Sequence, residues 1–164
     1  GFSERLADRS IRLEILAKGS ETSCFCDAEA LSRVISILLE NAIRFAPTGS
    51  AISCTLNPTV IERDEELLRA LEIAVADEGI GIPANELESI FDAFTQSSLT
   101  KDGSGGTGLG LTIARAIVTA HGGTIVAQNR AGGGATLRVT LPAEEEPSTN
   151  VEPTTEPSCA SAPA

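Results

Sequence analysis

Apolar and polar residues alternate in several stretches of the chain, and this period of two predicts β-strands. In Ile11–Ile15, for example, apolar residues are separated by charged ones, as in a half-buried strand. Further strands are predicted to reach about Cys26 and to cover about residues 50–56, 71–76, 124–129 and 135–141. A charged connection over residues 62–66 joins the strands 50–56 and 71–76. A turn at Gly132–Gly134 joins the strands 124–129 and 135–141 into a hairpin.

A helical period, in which apolar residues recur every three or four positions, is found in two longer stretches. The first covers about residues 28–45, and Asp27 has the position of its N-cap. Its apolar face consists of Leu31, Val34, Ile35, Leu38, Leu39 and Ala42. The second follows a glycine-rich run and stops at Gly122, and a shorter helix is predicted over residues 83–90. Strands and helices in this order predict an α/β fold, a two-layer sandwich with one mixed sheet.

The composition changes at Pro142 and divides the chain into a folded part and a tail. Residues 143–164 are rich in Glu, Pro, Ser, Thr and Ala, so they cannot bury enough apolar surface to offset the entropy of ordering. We therefore predict one domain over residues 1–142 and an acidic disordered tail over residues 143–164. Because the chain starts at Gly1 and contains no Met, we expect it to be an excised or processed piece of a longer protein.

Charge and cysteine content argue against several classes of protein. The formal net charge is −11 and the basic residues are not clustered, which disfavours nucleic acid as a partner. No apolar run approaches the roughly 20 residues that span a bilayer, so we expect no direct membrane insertion by this segment. Cys24 and Cys26 are too close for an ordinary disulfide and lack a second Cys or His pair for zinc. Reduced thiols and a cytoplasmic location are therefore expected.

A glycine-rich run at Gly105–Leu111 leads directly into the second long helix. Glycine is unfavourable in regular structure, so its density here indicates unusual backbone angles or a close approach to a ligand. Amide groups that converge on a helix N-terminus form an anion site, because the free N–H groups and the helix dipole point to the same place. A solvent-exposed linker turn is the alternative for this run taken alone.

Two polar residues at the edges of apolar patterns are candidates for ligand binding. Asp77 follows the strand 71–76 on the side of its apolar residues, where a buried carboxylate needs a donor. That donor is either an adenine amino group or a backbone turn amide. Asn41 borders the apolar face of the first helix, with Arg44 one turn further on. It either holds Mg²⁺ and a phosphate chain or is satisfied by a neighbouring loop.

A competing motif, Gly79–Ala84, formally matches the G-x-G-x-x-A pattern of dinucleotide-binding folds. That interpretation would place the carboxylates of Asp77 and Glu78 beside a pyrophosphate. It also requires a crossover strand with a terminal acid, and none follows. Both points disfavour a dinucleotide site, and the chain has no Walker-type phosphate loop either.

Five short motifs follow one another in an order and spacing that extend over nearly all of residues 11–142. They are Leu38–Phe45, Asp77–Pro83, Ile90–Phe94, Gly105–Leu111 and a final segment from Gly132 to Pro142. In this order they resemble the N box, first glycine box, phenylalanine box, second glycine box and last strand of the ATP-binding catalytic domain of sensor histidine kinases. The resemblance implies the Bergerat fold shared with gyrase, Hsp90 and MutL, in which a mixed sheet packs on about three helices.

The resemblance also implies roles for individual residues. Asp77 would accept a hydrogen bond from the adenine amino group, Asn41 would coordinate Mg²⁺, and Arg44 would contact phosphate. Residues 95–106 would form a mobile lid, in which Lys101 is a candidate phosphate contact or else an exposed, solvated side chain. Backbone amides that would bind phosphate belong to Gly106, Thr107, Gly108, Leu109 and Gly110. The remaining candidates for the ATP site are Phe45, Gly79, Gly81, Ile82 and Thr136.

Three further positions bear on which activity of this fold is expected. Many sensor histidine kinases carry a second polar residue four positions before the N-box Asn, and related ATPases carry a Glu there, but this chain has Ile37. Ile37 cannot act as a base, so ATP hydrolysis is not the expected activity, and metal binding would depend on Asn41, phosphates and water. Glu40 lies about 100° round the helix from Asn41 and is expected to be solvated. His121 resembles a structural histidine of the family rather than a phosphoacceptor.

Taken together, the resemblance implies the catalytic domain of an ATP- and Mg²⁺-dependent protein-histidine kinase in a two-component system. The phosphoacceptor histidine is expected on a separate dimerisation domain of a homodimeric parent, which could be anchored in the inner membrane. From there the phosphate would pass to the receiver domain of a response regulator. A stand-alone ATPase of the same fold and a degenerate nucleotide-binding or docking module are the alternatives.

Overall fold

The computed structural model describes residues 2–19, 26–100 and 106–143, which form one sheet covered by helices on one face. The helices are α1 (Phe2–Asp8), α2 (Ala28–Phe45) and α3 (Gly110–Ala120). The strands are β1 (Arg12–Ala17), β2 (Ala51–Arg63), β3 (Glu66–Ala76), β4 (Thr124–Asn129) and β5 (Ala135–Pro142). The predicted two-layer α/β sandwich is therefore confirmed. None of the helices in these ranges has the length and apolarity that a bilayer-spanning segment needs.

The sheet is mixed, as predicted, and its strand order is β1-β2-β3-β5-β4. Strand β1 is parallel to β2, whereas the other neighbouring pairs are antiparallel. Strand β3 lies at the centre, and β5 lies between β3 and β4. The order brings the end of β3 next to the start of β5, where the Asp77 N–H donates to the Ala135 carbonyl at 2.9 Å.

The core lies between the sheet and the helices α2 and α3. Asp27 caps α2 as predicted, because its Oδ1 accepts the N–H groups of Glu29 at 2.8 Å and Ala30 at 3.1 Å. Of the predicted apolar face of α2, three residues are buried and the other three, Leu31, Ile35 and Leu39, are partly buried and pack against the core. The buried residues of both helices are Val34, Leu38, Ala42, Ile43, Ala114 and Val118. They contact the sheet residues Ile52, Ile73, Val75 and Val139, which are also fully buried.

The end of α2 is held by an arginine from the N-terminal segment. The Arg9 guanidinium donates to the carbonyls of Ile43, Arg44 at 3.1 Å and Ala46 at 2.7 Å. These carbonyls belong to the last turn of α2 and the residue after it, where the helix leaves acceptors unsatisfied and a cation is favoured. Helix α1, which precedes Arg9, was not predicted from the sequence.

The hairpin formed by β2 and β3 is longer than predicted. Residues 62–66 were expected to be a charged connection, but the strands extend to Arg63 and from Glu66. Only Asp64 and Glu65 form the turn, with φ values of 52° and 67°. Two consecutive residues at positive φ match the twist of a two-residue hairpin. Because this end of the hairpin is largely exposed, it shows no apolar alternation that would reveal a strand.

Three other predictions need correction or fall outside the described residues. The helix expected over residues 83–90 is replaced by two short 3₁₀ turns, Ala84–Glu86 and Ser89–Phe91. The strand predicted to reach about Cys26 would fall mainly on residues 20–25, and most of the predicted tail falls on residues 144–164. Both segments lie outside the described ranges, so these two predictions stand as predictions.

Candidate functional site

A cavity opens between the C-terminal half of α2, the loop after β3, the segment before α3 and the start of β5. Its wall combines apolar side chains with a few polar groups, which is the usual character of a small-molecule site. The lining residues are Ile37, Glu40, Asn41, Arg44, Phe45, Asp77, Ile80, Gly81, Ile82, Ile90, Thr95, Gln96, Ser97, Thr100, Thr107, Gly108, Gly110, Leu111, Ala135 and Leu137. The cavity therefore joins residues from all five sequence motifs.

Asp77 is the most deeply buried ionisable residue of the cavity, with a relative exposure of 8%. Its Oδ1 accepts the N–H of Gly79 at 2.7 Å and, more weakly, the N–H of Ala135 at 3.4 Å. No described residue donates to its Oδ2. The turn amide that the sequence offered as one partner for Asp77 thus occupies one oxygen only, and the other oxygen is available to a donor in the cavity.

Burial raises the pKa of the Asp77 carboxyl, because desolvation disfavours the charged form. The N–H groups of Gly79 and Ala135 and the positive charge of Arg130 act in the opposite direction, and burial is the largest of these effects. A carboxylate with a perturbed pKa in a cavity is a candidate functional group. The same perturbation means that the ionised side chain is unfavourably placed while the cavity holds no partner for it.

Two glycines allow the backbone to pass close to Asp77. A Cβ at Gly134, which has a φ of +89°, would overlap the carbonyl oxygen of Asp77. A Cβ at Gly79 would lie 2.5 Å from the Phe45 carbonyl oxygen. The sequence analysis named Gly79 only as a candidate for the ATP site. In the structure Gly79 instead permits close packing of the loop against the end of α2, and it does not line the cavity.

Two residues at the end of β4 hold the loop after β3, and the sequence analysis missed both. The Asn129 side chain accepts the N–H of Ile82 at 2.9 Å and donates to the Ile82 carbonyl at 2.6 Å. The Arg130 guanidinium donates to the Asp77 carbonyl at 2.8 Å. Neither residue belongs to a motif, and their role depends on the strand order. The contacts of Asn129 and Arg130 could be foreseen only from the position of β4 at the edge of the sheet, next to β5.

The C-terminal half of α2 supplies one wall of the cavity. Ile37, Asn41, Arg44 and Phe45 all line it, so the predicted grouping around Asn41 is present. Glu40 is exposed, as expected, but it also contributes to the rim. Within the described ranges no group of three or more His, Cys, Asp or Glu residues could hold a metal ion.

The glycine-rich run adopts the backbone that its composition predicted. Gly106 and Gly108 have φ values of +77° and +69°. A Cβ at Gly106 would overlap the Arg44 guanidinium, and a Cβ at Gly108 would lie 2.8 Å from the Thr95 carbonyl oxygen. Helix α3 begins at Gly110, and the side chain of its N-cap, Leu109, caps none of the first-turn N–H groups. These N–H groups can therefore receive an anion.

Two hydrogen bonds connect residues 94–96 to the glycine-rich run. The Phe94 N–H donates to the Gly108 carbonyl at 3.1 Å, and the Gln96 side chain donates to the Gly106 carbonyl. Phe94 has a positive φ of 61° and is 77% exposed. The contacts connect the first and last parts of the predicted lid, residues 95–106. Residues 101–105, with Lys101, lie outside the described ranges.

A glutamate positions the first turn of the predicted lid. The Glu86 carboxylate accepts the Ser97 hydroxyl at 2.7 Å and the Ser98 N–H at 3.0 Å. Thr100, which is 3% exposed, donates its N–H at 2.9 Å and its hydroxyl at 3.1 Å to the Ser97 carbonyl. Ser97 and Thr100 line the cavity, so Glu86 shapes one wall without lining the cavity itself. The sequence analysis did not single out Glu86.

Some predicted site residues do not line the cavity. Thr136 pairs with Ala76 in β3 and Gln128 in β4, and its side chain lies on the sheet face opposite the helices. Its neighbours Ala135 and Leu137 line the cavity instead, because side chains alternate between the two faces of a strand. Thr136 is therefore not part of this lining, and its place in an ATP site stays a prediction. Gly79, Gly106 and Leu109 also lie beside the cavity rather than in its lining.

His121 has a structural position at the end of α3, as the sequence predicted. Its Nδ1 lies 2.8 Å from the Ile117 carbonyl, and its Nε2 accepts the Asp27 N–H at 3.2 Å. With Nε2 as an acceptor, Nδ1 carries the proton and donates to Ile117. His121 thus joins the end of α3 to the start of α2 and does not line the cavity.

Comparison with known proteins identifies a family and a set of relatives. Residues 26–145 match the model of the histidine kinase-, DNA gyrase B- and HSP90-like ATPase family. The chain is 36% identical to the sensor histidine kinase WalK of Bacillus subtilis over 146 residues, which are 88% of this chain and 21% of the relative. It is 40% identical to the sensor protein KdpD of Escherichia coli over 121 residues, which are 74% of this chain and 12% of the relative. The chain thus spans about a fifth or less of the length of these curated relatives.

Solved structures with the same architecture are also found. The mycobacterial sensor histidine kinase MprB matches with a TM-score of 0.68 and 26% identity, over 88% of this chain and 91% of that one. The catalytic domain of the histidine kinase ThkA matches with a TM-score of 0.70 and 25% identity, over 86% of both chains. The five-stranded mixed sheet and its helices are therefore the architecture of histidine kinase catalytic domains.

Proposed function

Because this chain belongs to the histidine kinase-, DNA gyrase B- and HSP90-like ATPase family, as the ATP-binding catalytic domain of sensor histidine kinases, we propose that it binds ATP with Mg²⁺ in the cavity described above. It then presents the γ-phosphate to a histidine on a separate dimerisation domain. The observation that carries this proposal is the state of Asp77. This buried carboxylate has one oxygen occupied by backbone amides and the other available to a donor in the cavity.

Asp77 would recognise the nucleobase through its free Oδ2. An ionised carboxylate only accepts hydrogen bonds, so it favours a base that offers an amino group, as adenine does at its 6-position. Ile82, Ile90 and Leu137 supply apolar surface around Asp77 for a planar ring. Gly81, at a φ of +74°, lines the same part of the cavity without a side chain.

The phosphate chain would lie toward the other end of the cavity, between α2 and the start of α3. The uncapped first turn of α3 and the amides of the run Gly106–Gly110 provide N–H donors for an anion. Arg44 lines the cavity on the opposite wall, next to Gly106. Lys101 is retained as a candidate phosphate contact from the lid.

Asn41 is the proposed protein ligand for Mg²⁺. The cavity fits this ion in a limited way, because its lining has the amides of Asn41 and Gln96 and no cluster of carboxylates that could hold a metal among the described residues, and the Gln96 amide already donates to the Gly106 carbonyl. Mg²⁺ is commonly held by one or two protein oxygens, waters and substrate phosphates, so a single amide oxygen is compatible with it. When bound, the ion would neutralise charge on the phosphates.

Transfer of the phosphate to a histidine agrees better with the cavity than hydrolysis does. Ile37 occupies the position on the α2 wall from which a base would activate water, and an aliphatic side chain cannot remove a proton. Catalysis by this chain would then consist of positioning the nucleotide and neutralising its charge. The acceptor histidine would come from the parent's dimerisation domain, and a response regulator would receive the phosphate afterwards.

One observation favours the alternative of a stand-alone ATPase. Glu40 contributes to the cavity rim next to Asn41, and a carboxylate there could serve as a base for water. Steady release of inorganic phosphate by the chain alone, lost on Glu40→Gln and on Asp77→Ala, would establish this alternative. We expect release to be slow and insensitive to Glu40→Gln.

The proposal is tested by adding the chain to the upstream helical domain together with ATP and Mg²⁺. We expect label on that domain that is labile in acid and stable in alkali, as phosphohistidine is. The Asp77→Ala variant is the matched control and should transfer no label. Absence of label with the unmodified chain, under conditions in which it binds ATP, would refute the kinase function and favour a degenerate binding module.

A further inference from the structure

The backbone of Asp77 is held on both sides by the neighbouring end of the sheet. Its N–H donates to the Ala135 carbonyl at 2.9 Å, and its carbonyl accepts the Arg130 guanidinium at 2.8 Å. Together with the Oδ1 contact to Gly79 at 2.7 Å, these bonds determine the orientation of the residue and leave Oδ2 to a ligand.

The contact with Arg130 replaces a bond that the sheet does not provide. The paired register of β3 and β5 ends at Ala76 and Thr136, so the Asp77 carbonyl lies beyond the last strand pair. Gly134 passes so close to this carbonyl that a Cβ there would overlap it, but no backbone N–H of the described residues donates to the Asp77 carbonyl oxygen. A part-buried carbonyl without a partner is unfavourable, and Arg130 satisfies it.

Arg130 is itself well anchored. Its N–H and carbonyl are both used in the turn between β4 and β5, the carbonyl accepting the Gly133 N–H at 3.1 Å. The residue before it, Asn129, makes the paired hydrogen bonds to Ile82. The end of β4 thus holds the loop after β3 at both of its ends, at Asp77 and at Ile82.

We propose that Arg130 is a positioning residue for base recognition: through the Asp77 carbonyl it directs the Asp77 carboxylate at the 6-amino group of a purine nucleotide and thereby contributes to the selection of adenine. The inference deepens the proposed function and rests on it. Arg130 does not line the cavity, so it acts through Asp77 and not by touching the ligand. Its positive charge also favours the ionised, acceptor-only form of the carboxylate.

The proposal predicts that loss of Arg130 affects only nucleotides that use Asp77. The experiment measures, by calorimetry with the full chain, the affinity for ATP and for purine riboside triphosphate, which lacks the 6-amino group. The unmodified chain should bind ATP about tenfold or more tightly than the analogue, the scale of one hydrogen bond to a charged group. Arg130→Gln should reduce ATP affinity about three- to tenfold and leave affinity for the analogue unchanged.

Two further variants complete the test. Arg130→Lys retains the charge and one donor and should recover part of the lost ATP affinity. Arg12→Gln removes the same charge from an exposed position on β1 and should change neither affinity. Binding of the analogue also reports whether each variant keeps a folded cavity.

The possible outcomes separate this inference from the proposed function. Equal weakening of both nucleotides by Arg130→Gln, or no weakening of either, would overturn the role of Arg130 and leave ATP binding intact. An unmodified chain that binds both nucleotides equally would contradict base recognition by Asp77, and the inference about Arg130 would fall with it.

Discussion

Replacement of Asp77 by Asn separates the ligand role of this residue from its effect on stability. The substitution keeps the shape of the side chain and removes its charge. If Oδ1 of the new amide keeps the 2.7 Å bond from the Gly79 N–H, its NH₂ group takes the place of Oδ2. A donor then faces the amino group of the base where an acceptor stood.

The expected loss of ATP affinity follows from this one contact. A hydrogen bond to a charged group contributes about 1.5–3 kcal/mol, which corresponds to about 10- to 100-fold in affinity. Calorimetric titration of ATP into the Asp77→Asn variant measures it. Affinity within about twofold of the unmodified chain would refute base recognition by Asp77.

The same variant is expected to be at least as stable as the unmodified chain when no nucleotide is present. Burial raises the pKa of Asp77, so the folded chain binds this proton more tightly than the unfolded chain does. The stabilisation linked to this proton is fully present below the unfolded pKa and is lost as the pH rises through the folded pKa. At neutral pH the ionised side chain is therefore disfavoured by burial, and a neutral Asn avoids this effect.

Thermal unfolding over a pH series checks the sign of this argument. The advantage of Asp77→Asn should be largest near neutral pH and should shrink as the pH falls and Asp77 itself becomes neutral. A variant that unfolds at a clearly lower temperature than the unmodified chain at neutral pH would contradict it. The hydrogen bonds from Gly79 and Ala135 would then outweigh desolvation.

Three further substitutions test the packing around the site. Gly134→Ala should abolish ATP binding and lower the unfolding temperature, because the added Cβ would overlap the Asp77 carbonyl. Gly49→Ala is the control, because Gly49 has a similar φ of +83° but lies in open space. It should lower the free energy of unfolding by only about 1–2 kcal/mol in a denaturant titration. Leu38→Ala, at a fully buried position, should lower the free energy of unfolding by about 2.7–5 kcal/mol in the same assay, and a loss below about 1 kcal/mol would contradict its place in the core. Arg9→Ala should destabilise the chain by about 1–3 kcal/mol, because it leaves the carbonyls at the end of α2 without their donor, and equal stability of Arg9→Ala and Arg9→Lys would argue against this.

Helix α2 shows which features of the fold could be predicted in detail from the sequence. Its bounds and its N-cap Asp27 are those that the sequence predicted. Of its predicted apolar face, Val34, Leu38 and Ala42 are buried and the other three residues are partly buried against the core, whereas the buried Ile43 was not predicted. The grouping of Ile37, Asn41 and Arg44 on the cavity wall follows from the same period. The unusual backbone expected of the glycine-rich run is present at Gly106 and Gly108, which adopt positive φ.

Thr136 shows how a shift of one residue along a strand changes the face on which a side chain lies. The residue was placed at the site, but side chains in β5 alternate, and Ala135 and Leu137 take the cavity side. The apolar residues Leu137, Val139 and Leu141 carried this information in the sequence, because they share one face. The β2–β3 hairpin is a different case, since its exposed charged residues carry no such alternation.

Features with local signals could be predicted from the amino-acid sequence: the period of α2, the glycine conformations, and a carboxylate at the end of an apolar strand. The distant groups that complete the site depend instead on how the strands are arranged in the sheet. The strand order places β5 and the end of β4 beside Asp77, so Ala135 and Arg130 bond Asp77 itself, and Asn129 bonds Ile82 in the loop that follows. These contacts join residues about fifty positions apart (for Arg130 and Asp77, 53), and no short-range pattern encodes which strands become neighbours.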